Sequence, residues 1–110
     1  MTQCIVYMTA ADRDEAMRIG QVLVAERLAA CVNVLGEITS IYRWEDAIQQ
    51  GAEVAFIAKT ASDKVGPLTE RVIEMHSYDT PCIVAVPIQG GLTAYLAWVQ
   101  AETETPALNL

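Results

Sequence analysis

The chain has 110 residues, 53% of them apolar, and 14 acidic against 7 basic side chains give a net charge of −7. So apolar a chain can bury enough surface to offset ordering entropy, which excludes intrinsic disorder, and six Gly with four Pro exclude collagen-like and low-complexity classes. The length suits one domain. The basic residues are scattered singly, which excludes a binder of phosphate backbones, since that needs several cationic contacts together.

No apolar run approaches the roughly 20 residues of a membrane helix. Met1-Thr2-Gln3-Cys4 opens into a strand-like run without the basic start of a signal peptide. Three widely spaced cysteines, Cys4, Cys31 and Cys82, do not form a disulfide framework, so a cytosolic chain with reduced thiols is expected. A domain this short leaves about a third of its unfolded surface exposed. The apolar surplus therefore predicts that another copy of the chain covers part of it. The acidity reads as solubility.

Cys4 to Thr9 is apolar and partly β-branched, as in a buried strand. Asp12 followed by Glu15 forms a capping-box pattern at the start of a helix over about 12–29. Ala16, Ile19 and Leu23 recur on its inner side, and Asp14 with Arg18 makes an i,i+4 pair. Cys31 to Trp44 is β-rich, and its alternation changes phase near Leu35-Gly36, which predicts a bulge. Glu45 to Gly51 reads as a polar turn. Glu53 to Thr60 returns as a strand with Val54, Phe56 and Ala58 on one face and Ala55, Ile57 and Lys59 on the other. Ser62 is a candidate cap for a second helix, in which Val65, Leu68, Val72 and Met75 recur. Pro67 is tolerable only in its first turn. Cys82 to Val86 is another buried strand, and Gly90-Gly91 breaks the chain. Leu92, Tyr95, Leu96 and Val99 mark a third helix, with a loosely ordered tail over 102–110.

The order β-α-β-β-α-β plus a helix is the α+β, ferredoxin-like pattern with a long central hairpin. It places two helices on one face of an antiparallel sheet. The strands are apolar on both faces, which again predicts an oligomer.

No Ser-His-Asp or Cys-His motif stands in a recognisable local context, and an enzyme is not expected. His76, the only histidine, sits where a helix ends, and a His there commonly complements the helix carbonyls. Cys31 and Cys82 read first as small buried hydrophobes. Taken together, Cys31, His76 and Cys82 are soft donors of the kind a copper or zinc site uses, although their spacing matches no known finger. Trp44 and Tyr42, near the hairpin tip, are either core residues or anchors onto a neighbouring subunit.

Six strings occur in order between about residues 3 and 100: Ala29-Ala30-Cys31-Val32-Asn33, Ser40-Ile41-Tyr42-Arg43-Trp44, Lys59-Thr60, His76-Ser77-Tyr78-Asp79-Thr80-Pro81, Pro87-Ile88 and Tyr95-Leu96-Ala97-Trp98. With them the chain resembles the CutA family of divalent-cation tolerance proteins. The resemblance implies a ferredoxin-like subunit in a homotrimer whose long hairpins pack on neighbouring subunits. It implies a part in tolerance of copper and other divalent cations, with a metal ion or small anionic ligand as partner and none required for folding. It places Trp44, Lys59 and Tyr78 in an intersubunit cleft. The likeness of such trimers to PII-type proteins implies, as the alternative, a signalling scaffold acting through protein partners. Asp46, Ser77, Asp79 and Cys82 depart from the Gly, Pro, Glu and Glu common in the family. The last exchanges a hard oxygen donor for a soft sulfur.

Overall fold

The computed structural model describes residues 2–104. β1 (Gln3–Ala10) leads through Asp12 into α1 (Arg13–Ala25). The Asp12 carboxylate accepts the Glu15 amide at 2.8 Å, as a cap should. Glu15 Oε1 returns to the Ala11 amide at 2.9 Å, so the capping box closes one residue earlier than expected. Arg18 meets Glu15 at 3.8 Å, replacing the expected pair with Asp14. The helix stops at Ala25, short of residue 29, because Arg27 takes a left-handed φ of 60°. The amides of Leu28 and Ala29 then both fold back onto the Leu23 carbonyl.

β2 (Cys31–Trp44) and β3 (Ala47–Ala61) form the long hairpin. Its turn is only Glu45-Asp46, both at positive φ (49° and 61°), instead of the longer polar turn expected. That is the backbone of a two-residue hairpin turn whose twist matches paired strands, so the ladder runs on through Trp44↔Ala47. The expected bulge is present: the register slips between Val34 and Gly36, and Gly36 has φ 123°. A short 3-10 turn (Ser62–Lys64) precedes α2 (Val65–Met75). Ser62 does not cap the helix; its amide bonds the Thr2 carbonyl at 2.8 Å. Pro67 falls in the first helical turn, where its missing N–H costs nothing. β4 (Ile83–Pro87) and α3 (Thr93–Glu102) complete the fold.

The strands lie in the order β2-β3-β1-β4, with every neighbouring pair antiparallel. Val6, Met8, Phe56 and Ala58 point to one face, where Ile19 and Leu23 of α1 and Leu68 and Val72 of α2 seal a core with no solvent access. Helix and sheet approach closely at Gly20: a Cβ there would lie 2.9 Å from Val32 Cγ1. α3 crosses one end of the opposite face. Gln100 accepts from Gln3 at 2.8 Å, and the Tyr95 hydroxyl accepts from Lys59 at 3.2 Å. Thr103 at its end is buried and donates to the Val99 carbonyl. The rest of the tail expected to be loose, from 105 to 110, lies outside the described residues. Beyond α3 this second face is open, with Tyr7, Val84 and Val86 between 37% and 55% exposed.

Candidate functional site

On the open face, a cleft of about 560 Å³ lies between the outer half of the hairpin and the loop from α2 to β4. Strand parity supplies one wall. After the bulge the even positions of β2 face this side, so Tyr42 and Trp44 stand on it in succession. Glu53 and Gly51 of β3 and Thr9 of β1 line it as well, and Tyr78, Thr80 and Cys82 come from the loop.

A buried network holds that loop in place. The His76 side chain is fully enclosed. Its Nε2 lies 2.8 Å from the Thr9 carbonyl, and its Nδ1 lies 3.0 Å from the Tyr78 amide. A carbonyl can only accept and an amide can only donate, so the ring is neutral with its proton on Nε2. Glu15 accepts the Ser77 amide at 2.9 Å and the Ser77 hydroxyl at 3.0 Å. Burial pushes the Glu15 carboxyl up, but the Ala11 and Ser77 donors outweigh it and hold the group below its ordinary value. Thus α1 grips the loop from one side and β1 from the other.

Tyr78 turns its hydroxyl into the cleft and donates to Glu53 Oε2 at 2.9 Å. Burial also raises Glu53, and the hydroxyls of Ser40, Tyr78 and Thr9 together overcome it, so the carboxylate titrates below its ordinary range. Burial first, and then the bond to Glu53, push the Tyr78 phenol up to about 12. Burial, followed by the Glu53 charge, raises the Cys82 thiol. At neutral pH the cleft therefore holds an ionised carboxylate beside a neutral phenol and a neutral thiol.

The residues anticipated as a soft metal site do not meet within the subunit. Cys31 opens β2 opposite Lys59, and its sulfur lies 3.5 Å from the Tyr95 hydroxyl under α3. Both nitrogens of His76 are engaged by backbone. Only Cys82 reaches the cleft. Among the described residues no three His, Cys, Asp or Glu side chains are grouped so as to hold a metal ion. Trp44 and Tyr78 do share the cleft, but Lys59 stands apart from them, roughly 20 Å along β3 from Glu53 at strand spacing. Lys59 instead reaches Tyr95. Glu53, the charged centre of the cleft, carries no motif. Its one trace in the sequence is an acid placed among apolar residues of the same strand face, Ala55 and Ile57.

The profile of the CutA1 divalent ion tolerance protein family matches residues 4–102. The divalent-cation tolerance protein CutA of Archaeoglobus fulgidus is 43% identical over 99 residues, covering 90% of this chain and 96% of that protein. The chloroplastic protein CutA of Arabidopsis thaliana is 40% identical over the same length, but the chain spans only 54% of it. Among solved structures, CutA1 from Oryza sativa superposes with a TM-score of 0.92 at 37% identity, covering 96% of this chain and 97% of that one. The divalent cation tolerance protein from Thermus thermophilus gives 0.91 at 39% identity, covering 93% and 99%. Strand order, hairpin and matched profile agree, and the chain belongs to the CutA1 divalent ion tolerance family.

Proposed function

We propose that this protein contributes to divalent-cation tolerance as a homotrimer that binds a metal ion or small ligand in the cleft beside Glu53. The observation that carries the reading is the cleft itself, where an ionised carboxylate and a thiol share one cavity. The half-exposed apolar side chains of the open sheet face supply the surface for self-assembly. Copper is the first ion to test, because a sulfur donor favours it over harder cations. The role is binding rather than catalysis. The Cys82 thiol is pushed away from its reactive form, and His76 has no free nitrogen to act as a base. The unpaired cysteines suit a reducing, cytosolic compartment.

Calorimetric titration of metal-free protein with Cu²⁺, Cu⁺ and Zn²⁺, with light scattering to give the mass, tests the reading. A trimer mass, together with metal binding that is weakened in Cys82→Ser and Glu53→Gln, supports it. Equal binding in both variants removes the cleft as the metal site.

A second reading is a PII-like scaffold acting through protein partners. Ile41 and Ile48, on the other side of the hairpin, are 71% and 73% exposed and favour it. Loss of a partner in an Ile41→Ser, Ile48→Ser variant, with metal binding intact, would separate the two.

A further inference from the structure

The cleft rests on the reading above as the ligand site, and its chemistry narrows the ligand. Among the described residues of one subunit no Lys, Arg or His lines it, so an anion entering would meet the Glu53 charge with no cation of that subunit to balance it. Asp79, also in the lining, adds a second acid. The charge this subunit supplies favours a cationic ligand over a small anionic one.

Metal binding through the Cys82 sulfur leaves most of the cleft unaccounted for. The Glu53 carboxylate is already bonded by the Tyr78, Ser40 and Thr9 hydroxyls, which fix its orientation and hold its charge. Three aromatic side chains share the lining with Thr9, Thr80, Cys82 and the Gly51-Ala52 stretch. Tyr42 and Trp44 are 46% and 59% exposed on the same strand face, and Tyr78 joins them from the loop. A fixed carboxylate that shares a cavity with aromatic rings can recognise an organic ammonium group. The rings attract the diffuse charge through their faces, and the carboxylate neutralises it. A volume of about 560 Å³ holds a small molecule rather than one ion.

We infer that the cleft binds a small organic cation, a primary or quaternary amine, whose ammonium group sits between Glu53 and the rings of Trp44, Tyr42 and Tyr78. Glu53 supplies the charge partner and Trp44 the principal face. Cys82 contributes only neutral surface to this ligand.

The test is calorimetric titration of the full-length, metal-free protein with tetramethylammonium chloride and, separately, with 1,4-diaminobutane. Sodium chloride and inorganic phosphate serve as controls. Saturable binding of at least one amine and none of phosphate is expected. Glu53→Gln should weaken amine binding about tenfold or more, as loss of a charged partner does. Trp44→Ala should weaken it about fivefold, and Trp44→Phe much less. Cys82→Ser should leave it unchanged, which separates amine binding from metal binding through sulfur. A circular dichroism spectrum matching the wild type identifies folded variants. Absence of saturable amine binding, binding undiminished in folded Glu53→Gln, or tighter binding of phosphate would each overturn the inference. Copper binding lost in Cys82→Ser would still stand by itself, so the two readings fail separately.

Discussion

The two faces of the one sheet are built from similar side chains and meet different fates. On the helical face Val6, Met8, Phe56 and Ala58 have no solvent access, because α1 and α2 of the same chain close over them. On the other face Tyr7, Val84 and Val86 remain between 37% and 55% exposed. Tyr7 stands between Val6 and Met8 on the same strand, with Val84 paired to it on β4 and Val86 paired to Ile5. α3 covers only the end marked by Gln3 and Lys59. The difference teaches that apolar alternation specifies a surface to be covered and does not specify by what. One face is completed by folding, and the other stays open within the subunit.

Breaking the open face should produce the largest change. With Val84→Asp and Val86→Asp together, light scattering should report a fall from trimer to single-subunit mass, while the circular dichroism spectrum stays native. An unchanged mass would mean that this face is not the interface. On the covered face, Phe56→Ala should cost about 4 kcal/mol, the usual loss for a fully buried ring, read from urea unfolding. A loss no larger than that of an exposed residue would contradict the packing described.

The contrast sharpens at Glu15, which ties the covered side to the cleft loop. Glu15→Gln should cost about 2 kcal/mol, because three donors lose a charged acceptor. The folded carboxyls of Glu15 and Glu53 titrate below the ordinary 4.5, so the stability they lend is complete above that pH. It is lost as pH falls through their lowered folded values. Glu15→Gln should flatten that acid limb in a series of thermal melts, and an identical limb in both proteins would refute the assignment. The smallest expected effect lies at the hairpin tip. Asp46→Gly should stabilise by about 1 kcal/mol, because Asp46 holds a φ of 61° that glycine adopts without strain. Differential scanning calorimetry would register it as a raised melting temperature.

Element types and their order were legible because periods of two and of 3.6 are local properties of the chain. The phase change at Leu35-Gly36 announced the bulge for the same reason. Legibility failed where distant residues decide. Gln49, Gln50 and Gly51 are poor strand formers and read as turn, yet pairing with Ser40, Ile41 and Tyr42 carries them into β3. Ser62 looks like a cap until the Thr2 carbonyl claims its amide. In the site, Trp44, Tyr78 and Cys82 share one cleft of the subunit and Lys59 lies elsewhere on it, whereas Glu53 carries no motif by which the sequence could single it out. No local pattern records that Glu15 reaches Ser77, or that Tyr78 reaches Glu53, across the fold.

The bulge between Val34 and Gly36 has a consequence for how this chain tolerates insertions and deletions. Before it, the even positions Val32 and Val34 face the helices; after it, the even positions Tyr42 and Trp44 face the opposite way. One extra residue thus changes the parity of the outer half of β2, while β3 keeps its own. Deleting Leu35 would remove the extra residue and leave a regular ladder, in which Gly36 follows Val34 and every side chain beyond it keeps its face. The aromatic wall would stay in the cleft and Ile41 outside it. A one-residue gap is therefore tolerated at this point, whereas the same gap at a regular position of the arm would exchange its two faces.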